Sequence, residues 1–218
     1  MTRVQLLPAA CALGAFLAAG PVFPAATGLL LIPTADTIGA KEYQLQLEID
    51  GSTSPAATQY WFLDTEAGLG EKWELGVDIN LAMSPRPRVL ADFKYAFASV
   101  DPGRVGGAVG IDTWDERLLS GPYVLGTADL GPIRFTTGGT YLYGAGRLMA
   151  GIDTGFRHRL TWMADYVSGA GFFSSVGVNY SAGRDVEVQA GLVFPNNGGG
   201  TLFTVQLAWG GKFAQVPR

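Results

Sequence analysis

The fold is decided by segments in which every second residue is apolar, most clearly the stretch WELGVDINL at residues 73–81. Its odd-numbered positions are all apolar, whereas its even-numbered positions include Glu74, Asp78 and Asn80. Successive side chains of a β-strand point to opposite faces, while an α-helix repeats every 3.6 residues. The period of two therefore predicts a strand with one apolar and one polar face.

The same alternation recurs along most of the chain after the first 40 residues. It is found again in residues 43–50, 89–97, 105–112, 160–166, 186–194 and 203–213. Two segments are less regular, because both faces are apolar around residues 60–63 and because residues 123–130 fit either assignment of faces. Eleven clusters rich in Gly, Pro, Asn, Asp and Ser separate the segments, which predicts about 12 strands joined by short turns.

The N-terminus has the pattern of an export signal. Arg3 is followed by the apolar run 6–19 and by the small pair at residues 25–26, which is typical of a secretory signal peptide. We therefore expect a leader over residues 1–26 and a single β-domain over residues 27–218.

Composition narrows the classes of function. The 218 residues are 48% hydrophobic and 16% charged, with a formal net charge of -4. So few charges argue against disorder, and the acidic balance offers no basic surface for nucleic acid. After the leader, no uncharged apolar run reaches the ~18 residues of a transmembrane helix. Cys11 is the only cysteine and lies in the leader, so neither disulfides nor thiolate metal sites are expected in the mature chain.

An antiparallel sheet of this size has to cover its apolar face and deal with its edges. A transmembrane barrel turns the apolar face to lipid, whereas a soluble sandwich packs it between two sheets. The export signal, the short turns and the aromatic residues near segment ends favour the barrel. These aromatic residues are Tyr43, Trp73, Tyr95, Tyr143, Trp162, Phe194 and Trp209. We predict an all-β, up-and-down antiparallel transmembrane β-barrel of about 12 strands in the bacterial outer membrane; the alternative is a secreted soluble β-sandwich or carbohydrate-binding β-protein.

The start of the mature chain resembles a known family. Residues 28–36, GLLLIPTAD, followed by the segment 42–50, look like the beginning of porin-like outer-membrane barrels of the YjbH-like group. This resemblance implies a passive or exopolysaccharide-associated envelope protein and not an enzyme. Trp209 and Phe213 also resemble the aromatic-ended assembly signal of outer-membrane proteins, although residues 214–218 extend beyond it. That second resemblance implies recognition by the barrel-insertion machinery.

The polar face of the alternating segments carries many of the charged side chains. The residues that we expect to line the lumen are Glu48, Glu74, Asp78, Asp92, Lys94, Asp112, Arg134, Asp153, Arg157, Asp165 and Glu187. An excess of carboxylates in a confined pore attracts cations and repels anions. We therefore predict a small porin-like channel, or an envelope structural protein, that prefers cations if it conducts. The alternative is a narrow lumen filled by these acids and their basic partners, since about 12 strands lies between filled barrels of about 8 and channels of 16 or more.

Enzymatic function is not expected. His158, the only histidine, stands between Arg157 and Arg159 at a predicted turn, where contact with solvent or lipid phosphate is a simpler interpretation than catalysis with Ser174 or Ser175. One histidine without a mature cysteine does not form a zinc site, so we expect no metal and no other cofactor. The expected partners are outer-membrane lipid, the barrel-insertion machinery, and small cations, solutes or exopolysaccharide, but no nucleic acid.

Overall fold

The alternating segments become strands of one sheet, because an extended chain with an apolar face can cover that face only in a larger assembly. The computed structural model describes residues 28–53, 59–81, 88–113, 120–154, 159–183 and 185–213. The predicted leader lies outside these ranges. The strands are β1 (Glu42–Ser52), β2 (Gln59–Gly68), β3 (Trp73–Asn80), β4 (Arg88–Ala98), β5 (Val105–Thr113), β6 (Ser120–Asp129), β7 (Ile133–Leu142), β8 (Ala145–Thr154), β9 (Leu160–Val167), β10 (Phe173–Ser181), β11 (Val186–Pro195) and β12 (Leu202–Lys212).

Each strand pairs with the next one in sequence, and the ring closes where β1 pairs with β12. At this seam Glu42 lies opposite Lys212 and Leu47 lies opposite Leu207. A closed ring has no free edge strand that could pair with another chain. The prediction of an all-β, up-and-down antiparallel barrel with about 12 strands is confirmed, and the two-sheet sandwich is wrong because the apolar faces point outward from one ring.

The alternation decides which side chains point outward. On β3, Trp73, Leu75 and Val77 are exposed on the outer surface, whereas Glu74 and Asn80 are buried inside the ring. The same division holds on the irregular strand β6, where neighbouring apolar side chains point alternately out and in. In the described part of the chain, no helix is long and apolar enough to cross a membrane.

The two irregular segments have apolar residues on both faces because their inner faces do not contact bulk water. On β6, Val124 is 53% exposed outside, while Tyr123 and Leu125 point inward and are buried. On β2, Trp61 is exposed outside and Phe62 is buried inside. The inner apolar residues of β6 belong to a hydrophobic cluster that fills part of the lumen.

The two ends of the barrel carry different connections. The terminal end has the start of β1 and the end of β12, together with the connections 69–72, 99–104, 130–132, 155–159 and 182–185. The loop end has the connections 53–58, 81–87, 114–119, 143–144, 168–172 and 196–201. Strands of 8 to 11 residues at ~3.3 Å per residue and a tilt of ~40° span roughly 20–28 Å between the two ends.

The segment before β1 turns back into the lumen. Residues 28–38, called the plug from here on, enter from the terminal end and pack against the inner faces of β5 to β9. The turn brings Gly39 so close to β2 that a Cβ on Gly68 would lie 2.1 Å from the Gly39 carbonyl oxygen. Lys41, the residue before β1, has a positive φ of 66°. The resemblance implied a segment that runs into the strands, and it gave no indication that this segment lies inside the lumen.

Candidate functional site: a plugged lumen and an acidic chamber

Buried polar side chains of the barrel wall bind the backbone of the plug. A chain segment without strand partners must hydrogen-bond its buried peptide groups in some other way, and here the wall supplies the partners. The bonds are Leu31 N–H to Asp165 Oδ2 at 2.8 Å, Ala35 N–H to Thr127 Oγ1 at 2.9 Å, Ile38 N–H to Glu74 Oε2 at 2.8 Å, and Gln189 Nε2–H to the Leu29 carbonyl at 3.2 Å. The wall partners come from β3, β6, β9 and β11, so the plug crosses the lumen from one side to the other.

An ion-pair network holds the second half of the plug. Asp36 forms a salt bridge with Arg134 of β7, whose Nε lies 3.9 Å from the Asp153 carboxylate of β8. The side chains of Arg134 and Asp153 are 4% and 5% exposed. Removing one partner of a buried ion pair leaves an uncompensated charge, so this network ties the plug to the wall.

The apolar tip of the plug fits against glycines of the wall. Leu29 Cδ1 would lie 2.3 Å from a Cβ on Gly151, and Leu30 Cδ1 would lie 2.5 Å from a Cβ on either Gly177 or Gly191. Any larger residue at these inward positions would displace the leucines. The space left by the inward glycines is therefore filled by the plug.

A cavity of about 720 Å³ lies beside the plug and is called the chamber from here on. Plug residues 28–33 form part of its lining, which also reaches the loop end at Ser52, Tyr60 and Leu202. A cavity of this volume accommodates a small organic molecule. The described structure thus has a filled region, where the plug lies, and a chamber that extends towards the loops.

The wall of the chamber that β1 to β5 provide is acidic. Its carboxylates belong to Glu48, Asp50, Asp64, Glu66, Glu74, Asp78, Asp92 and Asp112. Lys94 is the only basic residue among the described lining residues, and its Nζ lies 2.9 Å from Glu74 Oε1. Because a low-dielectric wall focuses the field of such a cluster, the chamber has a negative potential.

The structure places the predicted lumen residues that it describes at the chamber, at the plug or, for Glu187, at neither. The chamber is lined by Glu48, Glu74, Asp78, Asp92, Lys94 and Asp112. Arg134, Asp153 and Asp165 are also buried in the lumen, but they lie at the plug and not at the chamber. Glu187 accepts hydrogen bonds from neighbouring side chains of β10 and lies outside the chamber lining. Arg157 lies outside the described residues.

Sequence reasoning missed three acids of the chamber and the role of the plug. Asp50 continues the alternating face of Glu48 and could have been included on that signal. Asp64 and Glu66 share the inner face of β2, but the apolar residues before them conceal the alternation. The plug has no strand periodicity, and its apolar residues 29–32 give no sign that they enter a lumen.

The chemistry that these residues can perform is binding and electrostatic selection. In the described ranges, no group of three or more His, Cys, Asp or Glu side chains is arranged to hold a metal ion. The hydroxyl of Ser175 donates a hydrogen bond to Asp165, whose other oxygen binds the plug. His158 lies outside the described residues, so the absence of hydrolase activity stays a prediction.

The sequence matches no protein-family profile and no curated protein. Among solved structures, the barrel is similar to Ail, the attachment invasion locus protein of Yersinia pestis, at 8% sequence identity and a TM-score of 0.25. The likeness covers 80% of this chain and 99% of that chain. The resemblance to the YjbH-like group stays a prediction.

Proposed function

We propose that this barrel spans the bacterial outer membrane with its apolar outer face in contact with lipid. At the middle of the strands, Leu45, Val77 and Leu207 are 39%, 37% and 48% exposed. Soluble monomers rarely expose apolar patches larger than a few hundred Å², whereas here the apolar face follows the whole ring. The span of the strands also fits the apolar belt of ~25 Å that such barrels present to lipid.

The outer aromatic residues support the same placement. Near the terminal end, the ring centroids of Tyr43 and Phe213 lie 5.1 Å apart, and those of Trp73 and Tyr95 lie 4.3 Å apart. At the loop end, Tyr143 is 58% exposed. Aromatic side chains at both borders of an apolar belt are typical of the two membrane interfaces.

Two leucine-to-arginine substitutions test the membrane placement. Leu207→Arg puts a charge in the middle of β12 and should reduce the free energy of unfolding in lipid by ~2–4 kcal/mol, as at a bilayer midplane. Leu69→Arg is the matched control, because Leu69 is 65% exposed but lies in a connection at the terminal end. Recovery in the outer-membrane fraction and heat-dependent gel migration should fall for Leu207→Arg only. Equal tolerance of both changes, with recovery from the soluble fraction, would contradict a membrane barrel.

We further propose that the barrel is a small porin-like channel that prefers cations and that the plug closes it in the observed conformation. The observation that carries this proposal is the imbalance of charge in the chamber, whose described lining has eight carboxylates and one basic side chain, Lys94. An ion on this path meets a negative wall, which lowers the energy of cations and raises that of anions. Residues 28–38 occupy the lumen between this wall and the terminal end, so ions pass when the plug moves.

Reversal potentials in a planar bilayer test the charge preference. Under a KCl gradient we expect a reversal potential whose sign shows that potassium permeates more readily than chloride. The triple change Asp64→Asn, Asp78→Asn and Asp92→Asn should move this potential most of the way to zero. Asp101→Asn is the matched control, since the side chain of Asp101 is 57% exposed in a connection at the terminal end. Anion preference of the unchanged chain would refute the proposal.

The partners follow from the same proposal. Trp209 and Phe213 are exposed on the outer face at the end of the chain that the structure describes, at 57% and 51%. Their position supports recognition of the last strand by the barrel-insertion machinery. Binding of exopolysaccharide stays a prediction of the family resemblance.

A further inference from the structure

The chamber has an apolar side as well as an acidic one. Val193 of β11 and Phe172, from the connection before β10, line it and are each 5% exposed. Leu202 of β12 also lines the chamber, and it is paired with Val193 in the sheet. Leu30 of the plug completes this side. The chamber therefore places a hydrocarbon surface and a cluster of carboxylates around one volume.

One buried carboxylate oxygen in the chamber lining, Glu66 Oε2, has no hydrogen-bond partner in the described part of the chain. Tyr123 is 6% exposed and Gln206 is 5% exposed, and both line the chamber. Gln206 lies opposite Glu48 across the seam, next to the acidic wall. Buried polar groups in proteins are nearly always hydrogen-bonded, so the Glu66 oxygen, in the same lining as this buried phenol and amide, indicates a site that a ligand or water completes.

We propose that the chamber binds an amphipathic organic cation, a molecule with one ammonium group on a hydrocarbon body of modest size. This inference rests on the proposed function, because it names the kind of cation that the acidic lumen receives. The ammonium group lies against the carboxylates of Asp64 and Asp78, and the hydrocarbon body lies against Val193, Leu202 and Leu30. A purely inorganic cation would leave the apolar side uncovered, and an amphipathic anion would be repelled by the acidic wall.

The volume and the access of the chamber fit such a ligand. About 720 Å³ lies within the range of ligand pockets and exceeds the volume of a hydrated metal ion. The lining residues Ser52, Tyr60 and Leu202 lie at the loop end, away from the end at which the plug enters, so a ligand that arrives from the loop end does not have to pass the plug. Burial of each methylene group tightens binding by about fourfold, which makes chain length a direct measure of the apolar side.

Isothermal titration calorimetry of the whole mature barrel in non-ionic detergent tests the proposal. The probes are hexylammonium, methylammonium, 1-hexanol and hexanoate, with the heats of protein-free micelles subtracted. We expect hexylammonium to bind roughly tenfold or more tightly than either methylammonium or 1-hexanol, because only hexylammonium uses both sides of the chamber. Hexanoate should not bind.

Amino-acid substitutions test the acidic side and the apolar side of the chamber separately. The double change Asp64→Asn and Asp78→Asn should weaken hexylammonium binding roughly tenfold, whereas Asp101→Asn should leave it unchanged. Val193→Thr, which keeps the shape of the side chain, should weaken hexylammonium and leave methylammonium unaffected. Heat-dependent gel migration checks that each variant folds.

Equal affinity for hexylammonium and methylammonium would show a site for charge alone and would overturn the proposal. Equal affinity for hexylammonium and 1-hexanol would do the same by showing an apolar site alone. If either result appears while the bilayer reversal potential still favours potassium, the ligand class is wrong and the proposed channel stands. A reversal potential that favours chloride refutes the channel itself.

Discussion

Deletion of residues 28–38 should convert a barrel of low conductance into one that conducts steadily, with a single-channel conductance roughly tenfold higher or more. The plug fills the lumen on the terminal side, and its backbone, ion pairs and apolar tip all bind to the wall. Without it, the inner face keeps its polar residues and water can replace the segment. Single-channel recordings of the deleted and the full mature chain in planar bilayers make the measurement.

The deletion leaves wall groups such as Arg134 without their plug partner, so a variant that keeps the whole chain is needed as well. Ala35→Cys with Thr127→Cys joins the plug to β6 at a point where the Ala35 nitrogen lies 2.9 Å from Thr127 Oγ1. The oxidised pair should hold conductance at the closed level, and reduction should restore any openings of the unchanged chain. A deleted chain that folds but conducts no better than the full chain would show that the plug is not the barrier.

Lys94→Met should lower the free energy of unfolding by ~3–5 kcal/mol, as expected when one partner of a buried ion pair is removed. Lys94 and Glu74 lie 2.9 Å apart with side chains that are 6% exposed, and further carboxylates surround them in the chamber. Loss of the ammonium group leaves Glu74 as a buried charge in an already negative wall. Because Glu74 also accepts the Ile38 N–H, the plug should loosen too.

Urea unfolding followed by tryptophan fluorescence measures this effect. Lys212→Met is the matched control, since Lys212 also lies 2.9 Å from a glutamate but is 63% exposed, and a surface pair contributes only about 0–1 kcal/mol. Adding Glu74→Gln to Lys94→Met should recover most of the loss, because Glu74 is then no longer a buried charge without its partner and the amide oxygen still accepts the plug N–H. If Lys94→Met and Lys212→Met destabilise equally, the chamber is better solvated than its burial indicates.

The strands could be predicted from sequence because the outer face follows one simple rule. Most positions that point outward, such as Val77 and Leu207, are apolar, and the turns between strands are marked by small and polar residues. Pairing in a closed ring then follows from consecutive hairpins. Neither step depends on what the lumen contains.

The contents of the lumen could not be predicted from the same rule. Tyr123 and Leu125 are apolar on the inner face because they pack against the plug, which made β6 fit either assignment of faces. The contact between Ala35 and Thr127 joins residues 92 positions apart, and that between Leu29 and Gln189 joins residues 160 apart. Such contacts depend on three-dimensional placement and leave no local pattern in the sequence. For the same reason, the sequence did not indicate which lumen carboxylates lie at the plug and which lie at the chamber.

The bonds at the two ends of the plug have a mechanical consequence for the barrel. A ring of hydrogen-bonded strands resists stretching along its circumference, but it can flatten into an ellipse without breaking any bond between strands. The plug is bound to β3 through Ile38 and to β11 through Leu29, which lie on different sides of the ring. The plug therefore fixes the cross-section of the barrel. In a barrel that lacks the plug, we expect the surrounding lipid to determine whether the cross-section is rounder or flatter.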